Sequence, residues 1–250
     1  MPYLDYIDDD ILISLVKDVL DIGRSRKETV EKNFNKNVID PFASLFDAAV
    51  SEVNHETWKN SEKVRQCQKT LTNHIGNLHQ KILGNVDGWA DLGTGGVIDL
   101  VCHDRKIIAE VKNKFNTVTG SKLADQYRSL EKLITPKASQ YKNYKAYFVN
   151  IIPKKPERYD TYFEPSDNNS GIRCPQNENI RLIDGASFYT LVTGKKFALQ
   201  EFYCVLPCVI EDIFRTDYGV KNFTIQDKDI FSKYFFDAYF SSNHDQCLTI

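Results

Sequence analysis

The chain has 250 residues, of which 42% are hydrophobic and 26% are charged, and its formal net charge is −2. This length fits one large domain, and no apolar run approaches the ~20 residues that cross a membrane. The acidic N-terminus lacks the basic-then-apolar order of a signal peptide, so we expect a cytoplasmic protein. The six cysteines show neither Cys-x-x-Cys nor zinc-ligand spacing, which predicts free thiols rather than a metal site.

The charges are unevenly distributed along the chain. Residues 1–21 carry six acidic side chains against one lysine, whereas residues 132–158 carry seven basic side chains against one glutamate. A DNA duplex requires a positive surface on only one side of a protein. The basic segment is therefore a candidate DNA-facing surface, and the alternative is an ordinary solvated lysine-rich face.

Residues 1–56 are predicted to form N-terminal helices. Acidic residues 8–10 precede an apolar stripe at helical spacing and suit the positive end of a helix dipole. Asp40 followed by Pro41 is typical of a helix start, with a capping carboxylate and a proline at the first helical position. A broad apolar face follows, formed by Phe42, Leu45, Phe46, Ala49, Val50 and Val53.

A third helix is predicted over residues 57–83, with Gly84 ending it. Gln68 and His79 lie along the edge of its apolar face, where hydrogen bonds to backbone are the ordinary role. The glycine-rich segment 88–96 lacks the lysine and hydroxyl residue that close a nucleotide-binding loop. The apolar face steps by three and four and is expected to pack against a sheet; it comprises Val64, Cys67, Leu71, Ile75, Leu78 and Ile82.

Residues 97–102 and 106–112 are rich in β-branched side chains and flank a polar turn, which predicts a β-hairpin. A turn centred between positions 104 and 105 places Asp99 opposite Glu110, with Cβ atoms roughly 5 Å apart. Strand alternation then places Glu110, Lys112 and Lys114 on one face and directs the residues between them into a core.

An acid on one strand and an acid-x-lysine on its neighbour form a constellation found in metal-dependent nucleases. Mg²⁺ prefers oxygen ligands and is commonly held by one or two carboxylates together with substrate phosphate oxygens. Asp99 and Glu110 can supply the carboxylates, and the backbone carbonyl of Val111 can add a ligand. Lys112 can orient or deprotonate the attacking water, or stabilise negative charge on the phosphate. On spacing alone, a surface hairpin with an ordinary ion cluster is the alternative.

The segments after the hairpin complete the predicted core. A helix over residues 121–134 and a buried strand over residues 145–152 give the order helix, hairpin, helix, strand. This order predicts a mixed sheet with helices on both faces, and residues 57–152 are assigned as the catalytic core. Residues 186–250 are predicted to be mainly helical. An aromatic-rich helix over residues 226–240 packs either on its own domain or on a second subunit.

Residues 153–185 are rich in Pro, Asn, Asp and aromatic side chains and show little periodicity, which is typical of a functional loop. We expect this segment to approach the DNA grooves. Arginine can form two hydrogen bonds with guanine, although most protein–DNA hydrogen bonds go to the DNA backbone. The candidate DNA-binding residues are Lys114, Lys154, Lys155, Arg158, Asn168, Asn169, Arg173, Gln176 and Arg181.

Asp99 and the Glu110-Val111-Lys112 tripeptide resemble the PD-(D/E)xK nuclease motif, with Ile98 in place of the nominal proline. The wider sequence resembles one group of type II restriction endonucleases, those that cut GGWCC- or GGNCC-like palindromes. The segments that carry the resemblance are K-N-V-I-D-P-F-A-S-L-F-D-A (36–48), R-Q-C-Q-K-T-L (65–71), I-G-N-L-H-Q-K-I-L-G (75–84), I-I-A-E-V-K-N-K-F-N-T (107–117), I-P-K-K-P (152–156) and I-D-G-A-S-F-Y-T-L-V-T-G (183–194).

The resemblance implies an α/β fold with a PD-(D/E)xK nuclease core, a mixed β-sheet flanked by helices, in a single endonuclease domain over residues 1–250. It also implies Mg²⁺-dependent cleavage of double-stranded DNA by a homodimer. A cognate DNA methyltransferase would belong to the same system without direct contact. Nucleases of this fold often use a polar side chain on the helix before the hairpin to touch metal-bound water. Gln68 and His79 are therefore candidate accessory residues.

Two other functions remain open at this point. A structure-specific or repair nuclease on the same core would cut branched DNA in preference to any linear sequence. A non-catalytic DNA-binding module would show no Mg²⁺ dependence and no effect of Lys112→Ala. The complete set of two acids and a lysine favours a nuclease.

Overall fold

The computed structural model describes residues 2–34, 37–93, 95–167 and 171–240. Three helices come first: α1 (Asp9–Lys32), α2 (Pro41–Val50) and α3 (His55–Gly84). Asp8 caps α1 and Asp40 caps α2, each through a carboxylate that accepts hydrogen bonds from two backbone N–H groups. Both predicted helix starts are therefore confirmed. None of the helices in these ranges combines the length and apolar character needed to span a membrane.

A six-stranded mixed sheet forms the centre of the fold. The hairpin gives β2 (Leu100–Cys102) and β3 (Ile107–Lys114), and β1 (Ala90–Asp91) pairs antiparallel with β2 at the edge. On the other side of β3, β4 (Lys145–Ile152) and β8 (Ile180–Asp184) continue the sheet in parallel. The short strand β5 (Asp160–Tyr162) closes it antiparallel to β8. Two further short strands, β6 (Ser166–Asp167) and β7 (Ile172–Arg173), form a separate ribbon.

Helices cover both faces of this sheet, as the sequence predicts. One face carries α4 (Gly120–Ile134), whose buried side chains pack with the residues of β3 and β4 that point to this face, such as Ile108 and Phe148. The other face packs against α3, α1 and the C-terminal helices. Those are α5 (Gly185–Thr193), α6 (Ala198–Thr216), which continues through Pro207, and α7 (Lys228–Tyr239).

Only the second half of α3 packs on the sheet, so the prediction of one continuous sheet-facing stripe is wrong. Leu78 and Ile82 are buried, but Val64 is 56% exposed. At Gly76 the helix passes the end of β3, where a Cβ atom would lie 3.3 Å from the Cβ of Asn113. The preceding 21 residues therefore extend roughly 30 Å beyond the carboxyl end of β3. This overhang packs against α1 and carries α2 near its tip.

The prediction of a continuous loop over residues 153–185 is also wrong. Residues Ile180–Asp184 form β8, a strand inside the sheet between β4 and β5. Ile180 and Ile183 are buried on opposite faces, as expected for a strand covered on both sides. This strand has only five residues, so its pattern of apolar and polar side chains is too short to be distinguished in the sequence from the polar segment before it. The sheet therefore extends beyond residue 152, the predicted limit of the core.

Candidate active site

The predicted hairpin register is confirmed over the paired residues of β2, from Leu100 opposite Ala109 to Cys102 opposite Ile107. Asp99 lies just before the regular strand, and its backbone N–H donates at 2.8 Å to the carbonyl of Ala109, the residue that pairs with Leu100. The chain departs from the predicted register at this point, but the Asp99 and Glu110 carboxyl groups remain close enough to interact directly. Both acids therefore lie where β2 and β3 meet, toward the carboxyl end of β3.

Hydrogen bonds hold the acids and the lysine in place. Asp99 Oδ2 accepts a hydrogen bond of 2.7 Å from the backbone N–H of Val111. Lys112 Nζ donates to Glu110 Oε1 and forms an ion pair with it. The Glu110 side chain is 8% exposed and that of Lys112 is 22% exposed. The three candidate catalytic side chains thus share one small, partly water-excluded site.

The two carboxylates are electrostatically unfavourable neighbours. Burial raises the pKa of Glu110, and the nearby negative charge of Asp99 raises it further. Burial likewise raises the pKa of Asp99, while the Val111 N–H and Lys112 act in the opposite direction. A divalent cation between the acids would relieve this repulsion, since it favours both charged forms.

The donor set fits a hard cation. Glu110 Oε2 is buried and has no hydrogen-bond partner among the described residues. This oxygen of Glu110 is therefore available to bind a cation beside Asp99. No group of three or more His, Cys, Asp or Glu side chains in the described ranges could hold a metal. Asp99 and Glu110 are therefore the two carboxylates available at this point of the described chain, and oxygen donors of this kind suit Mg²⁺.

Neither candidate accessory residue reaches the acids. Gln68 is exposed on the overhanging part of α3. His79 is buried in the core, where its Nδ1 atom lies 2.8 Å from the Tyr189 hydroxyl, and burial lowers the pKa of His79 to about 4. The next residue, Gln80, instead donates to Asp91 Oδ1 at 2.6 Å and ties α3 to β1. The helical spacing does not show which residue of α3 faces β1.

The three candidate DNA-binding lysines lie at the carboxyl ends of β3 and β4. Lys114 is the last residue of β3 and is exposed. Lys154 and Lys155 are exposed immediately after β4, which runs parallel to β3 and ends beside it. This end of the sheet, called its basic edge below, therefore presents positive charge next to the carboxylates, as a phosphate backbone requires.

The arginines of residues 153–185 are placed differently. Arg158 donates to Ser187, to Thr190 and to the carbonyl of Ala186, so its guanidinium is bound to α5. Arg181 donates to Asp160 and lies over the ring of Tyr162. A DNA contact by either arginine would require these bonds to be exchanged. Arg173 and Gln176 are exposed, and Asn168 and Asn169 lie outside the described residues.

Comparison with known proteins gives consistent matches. The family model described as Eco47II restriction endonuclease matches residues 4–215. The chain is 54% identical over 239 residues to the type II restriction enzyme Eco47II of Escherichia coli, covering 96% of this chain and 100% of that protein. It is 29% identical over 223 residues to the type II restriction enzyme Sau96I of Staphylococcus aureus, covering 88% and 84% respectively. No solved structure matches the chain significantly.

Proposed function

Because the chain belongs to the Eco47II restriction endonuclease family and is a type II restriction enzyme, we propose that it cuts both strands of a short DNA palindrome by Mg²⁺-dependent hydrolysis. The observation that carries this proposal is the meeting of Asp99, Glu110 and Lys112 at the basic edge of the sheet. By resemblance, the palindrome is GGWCC- or GGNCC-like.

In this proposal Asp99 and Glu110 hold Mg²⁺, and the carbonyl of Val111 adds a third protein ligand. The hydrogen bond from the Val111 N–H fixes the Asp99 carboxylate against β3, and Glu110 Oε2 is buried with no hydrogen-bond partner among the described residues. When bound, Mg²⁺ neutralises charge on the scissile phosphate and lowers the pKa of a coordinated water.

Lys112 has the role of orienting the attacking water and stabilising charge on the phosphate. Its position two residues after Glu110 places both side chains on one face of β3. The ion pair with Glu110 keeps the amine within the site before DNA binds. Lys114, Lys154 and Lys155 contact the DNA backbone on either side, which positions the duplex without reading its sequence.

We expect a homodimer, since a palindrome has the two-fold symmetry of a dimer in which each subunit cuts one strand. Helix α2 offers a surface for a second copy. Phe42, Leu45, Phe46 and Val50 are 76%, 71%, 70% and 84% exposed, and α2 contains no buried residue. These side chains present on the order of 500 Å² of apolar surface, which is in the upper part of the range of the largest apolar patch on a typical monomer, and such patches are often functional.

The size, charge and position of this α2 face fit a second copy better than DNA. A standard interface buries about 800 Å² on each partner, so the face would supply most of one. The helix contains no basic residue, and its one acid, Asp47, accepts a hydrogen bond of 3.1 Å from Trp58 Nε1. Because α2 packs on the overhanging first half of α3, its exposed face is separate from the side chains of the candidate active site.

The remaining assignments follow from the restriction function. The system partner is a DNA methyltransferase that modifies the same palindrome and makes no direct contact with this chain. The enzyme works in the cytoplasm, where incoming DNA is cut.

A digest of a plasmid with mapped GGWCC and GGSCC sites tests the proposal. With Mg²⁺ we expect discrete fragments whose ends map to GGWCC, and no cleavage with EDTA. Cutting at both sets of sites would identify GGNCC as the recognition sequence. Random nicking, or preferential cutting of branched DNA offered in the same reaction, would contradict the proposal and favour a structure-specific nuclease.

A further inference from the structure

Asn150 is a buried polar residue of β4 whose side chain is incompletely hydrogen-bonded. It is 6% exposed, and its Oδ1 atom has no hydrogen-bond partner among the described residues. Its Nδ2 group donates to the hydroxyl of Tyr159 at 3.4 Å, which is a long contact. A buried acceptor without a donor lowers stability, so its presence calls for an explanation in function or in an absent partner.

The register of the sheet identifies the neighbours of this oxygen. Asn150 pairs in register with Lys112 on β3 and with Asp184 on β8. Adjacent strands lie about 4.8 Å apart, and in-register side chains point to the same face. The Asp184 carboxylate already accepts hydrogen bonds from the N–H groups of Tyr159 and Ser187, and an ionised carboxylate has no donor. Of the two side chains in register with Asn150, only that of Lys112 can donate a hydrogen bond to Asn150 Oδ1.

Lys112 has donors that its known contact does not use. Its ammonium group carries three N–H bonds, and Glu110 Oε1 accepts one of them. In the proposed reaction the Glu110 carboxylate also holds the metal, which weakens its hold on the amine. A second acceptor on the neighbouring strand would then be needed to fix the position of the amine.

We propose that Asn150 is a positioning residue whose Oδ1 atom accepts a hydrogen bond from the Lys112 ammonium when metal and DNA are bound. The bond keeps the amine directed at the attacking water. This inference rests on the proposed function, because it acts through the role given there to Lys112. It also accounts for the unfavourable oxygen, which costs stability in the free enzyme and gains its partner only in the reacting complex.

Two substitutions at this position test the inference. Asn150→Leu keeps a similar volume and removes the acceptor, whereas Asn150→Asp keeps an acceptor at the same place. We would measure single-turnover cleavage with Mg²⁺, DNA affinity with Ca²⁺ in place of Mg²⁺, and the thermal unfolding temperature. We expect Asn150→Leu to lower the cleavage rate about tenfold or more while DNA affinity changes less than about twofold. Its unfolding temperature should equal or exceed that of the wild type, and Asn150→Asp should cleave within about threefold of the wild-type rate.

Three outcomes would overturn the inference. A folded Asn150→Leu variant that cleaves at the wild-type rate would show that the acceptor is not used. An Asn150→Asp variant as slow as Asn150→Leu would show that an acceptor is not what the position supplies. A loss of rate that follows a loss of stability or of DNA affinity would make Asn150 a structural residue. Failure of the wild-type enzyme to cleave any DNA would instead overturn the proposed function, and this inference would fall with it.

Discussion

Asp99, the residue before β2, accepts a hydrogen bond of 2.7 Å from the backbone N–H of Val111 on β3, one residue beyond Glu110. This bond crosses the hairpin and holds the Asp99 carboxylate against the backbone of β3. It occupies one oxygen of Asp99, and the other oxygen is the one that we assign to the proposed metal site. The position of that proposed site is therefore set by β3, which is rigid because it is paired on both sides.

Asp99→Asn should abolish cleavage and leave the fold intact. The amide keeps the shape of the carboxylate but removes the negative charge that we assign to holding Mg²⁺. We expect the single-turnover cleavage rate to fall by about 1000-fold, equivalent to roughly 4 kcal/mol of transition-state stabilisation. DNA affinity measured with Ca²⁺ should be largely retained, because the lysines at the sheet edge are unchanged.

Asp104→Asn is a matched control for the charge change, since Asp104 is exposed in the turn at the opposite end of the same hairpin. It should cleave at the wild-type rate. Equal cleavage rates for Asp99→Asn and Asp104→Asn would show that Asp99 is not a catalytic residue.

Local patterns in the sequence were sufficient to predict the hairpin that carries the candidate catalytic residues. The register followed from two β-branched runs around a short polar turn, and strand alternation then placed Glu110 and Lys112 on one face. The Asp40 cap and the strand at residues 145–152 were also predicted, because each depends on residues adjacent in the chain.

Features that depend on distant packing could not be predicted in this way. Helical spacing shows that α3 is amphipathic, but not that the sheet ends beside Gly76 and leaves Val64 in solvent. His79 and Gln80 are adjacent, and only the positions of Tyr189 and Asp91 determine which faces the core and which faces β1. The sequence likewise does not show that Arg158 donates to the carbonyl of Ala186 at the N-terminus of α5.

Charged substitutions on α2 should dissociate the proposed homodimer. Phe42→Asp combined with Phe46→Asp places two carboxylates in the apolar α2 face without disturbing buried residues, since α2 has none. We expect the dimer dissociation constant to rise about 100-fold or more, measured by analytical ultracentrifugation. Double-strand cleavage should be replaced by slower, sequential nicking of the two strands at low enzyme concentration.

The matched control is Ile230→Asp combined with Phe231→Asp on α7, where the two residues are 55% and 51% exposed. This variant should remain a dimer. A monomeric α7 variant and a dimeric α2 variant would move the interface to α7, and two dimeric variants would exclude both helices.

Gly185→Ala should strongly destabilise the protein because the chain passes very close to β4 at this point. A Cβ atom on Gly185 would lie 2.3 Å from the carbonyl oxygen of Ile151, which also accepts a hydrogen bond from Tyr239. We expect the free energy of unfolding to fall by about 3 kcal/mol, measured by urea denaturation.

Gly120→Ala provides the contrast. A Cβ atom at Gly120 meets nothing within 4 Å, and the residue opens α4, where alanine is a better helix former. Its stability should be unchanged or up to about 1 kcal/mol higher. Similar losses at both glycines would mean that conformational freedom, rather than the close approach to Ile151, explains Gly185.

His79→Gln should make stability less sensitive to acid. Burial lowers the pKa of His79 from 6.5 to about 4, so the unfolded chain binds a proton at this residue more readily than the folded one. The contribution of His79 is therefore fully present above about pH 6.5 and is lost as the pH falls toward 4, up to on the order of 3 kcal/mol. Glutamine cannot titrate but can still hydrogen-bond the Tyr189 hydroxyl.

The thermal unfolding temperature should depend less on pH between pH 7 and 4.5 for His79→Gln than for the wild type. Cleavage at neutral pH should be retained, because His79 lies in the core. Parallel pH curves would show that other groups control acid stability, and loss of cleavage by a fully folded variant would return His79 to the catalytic site.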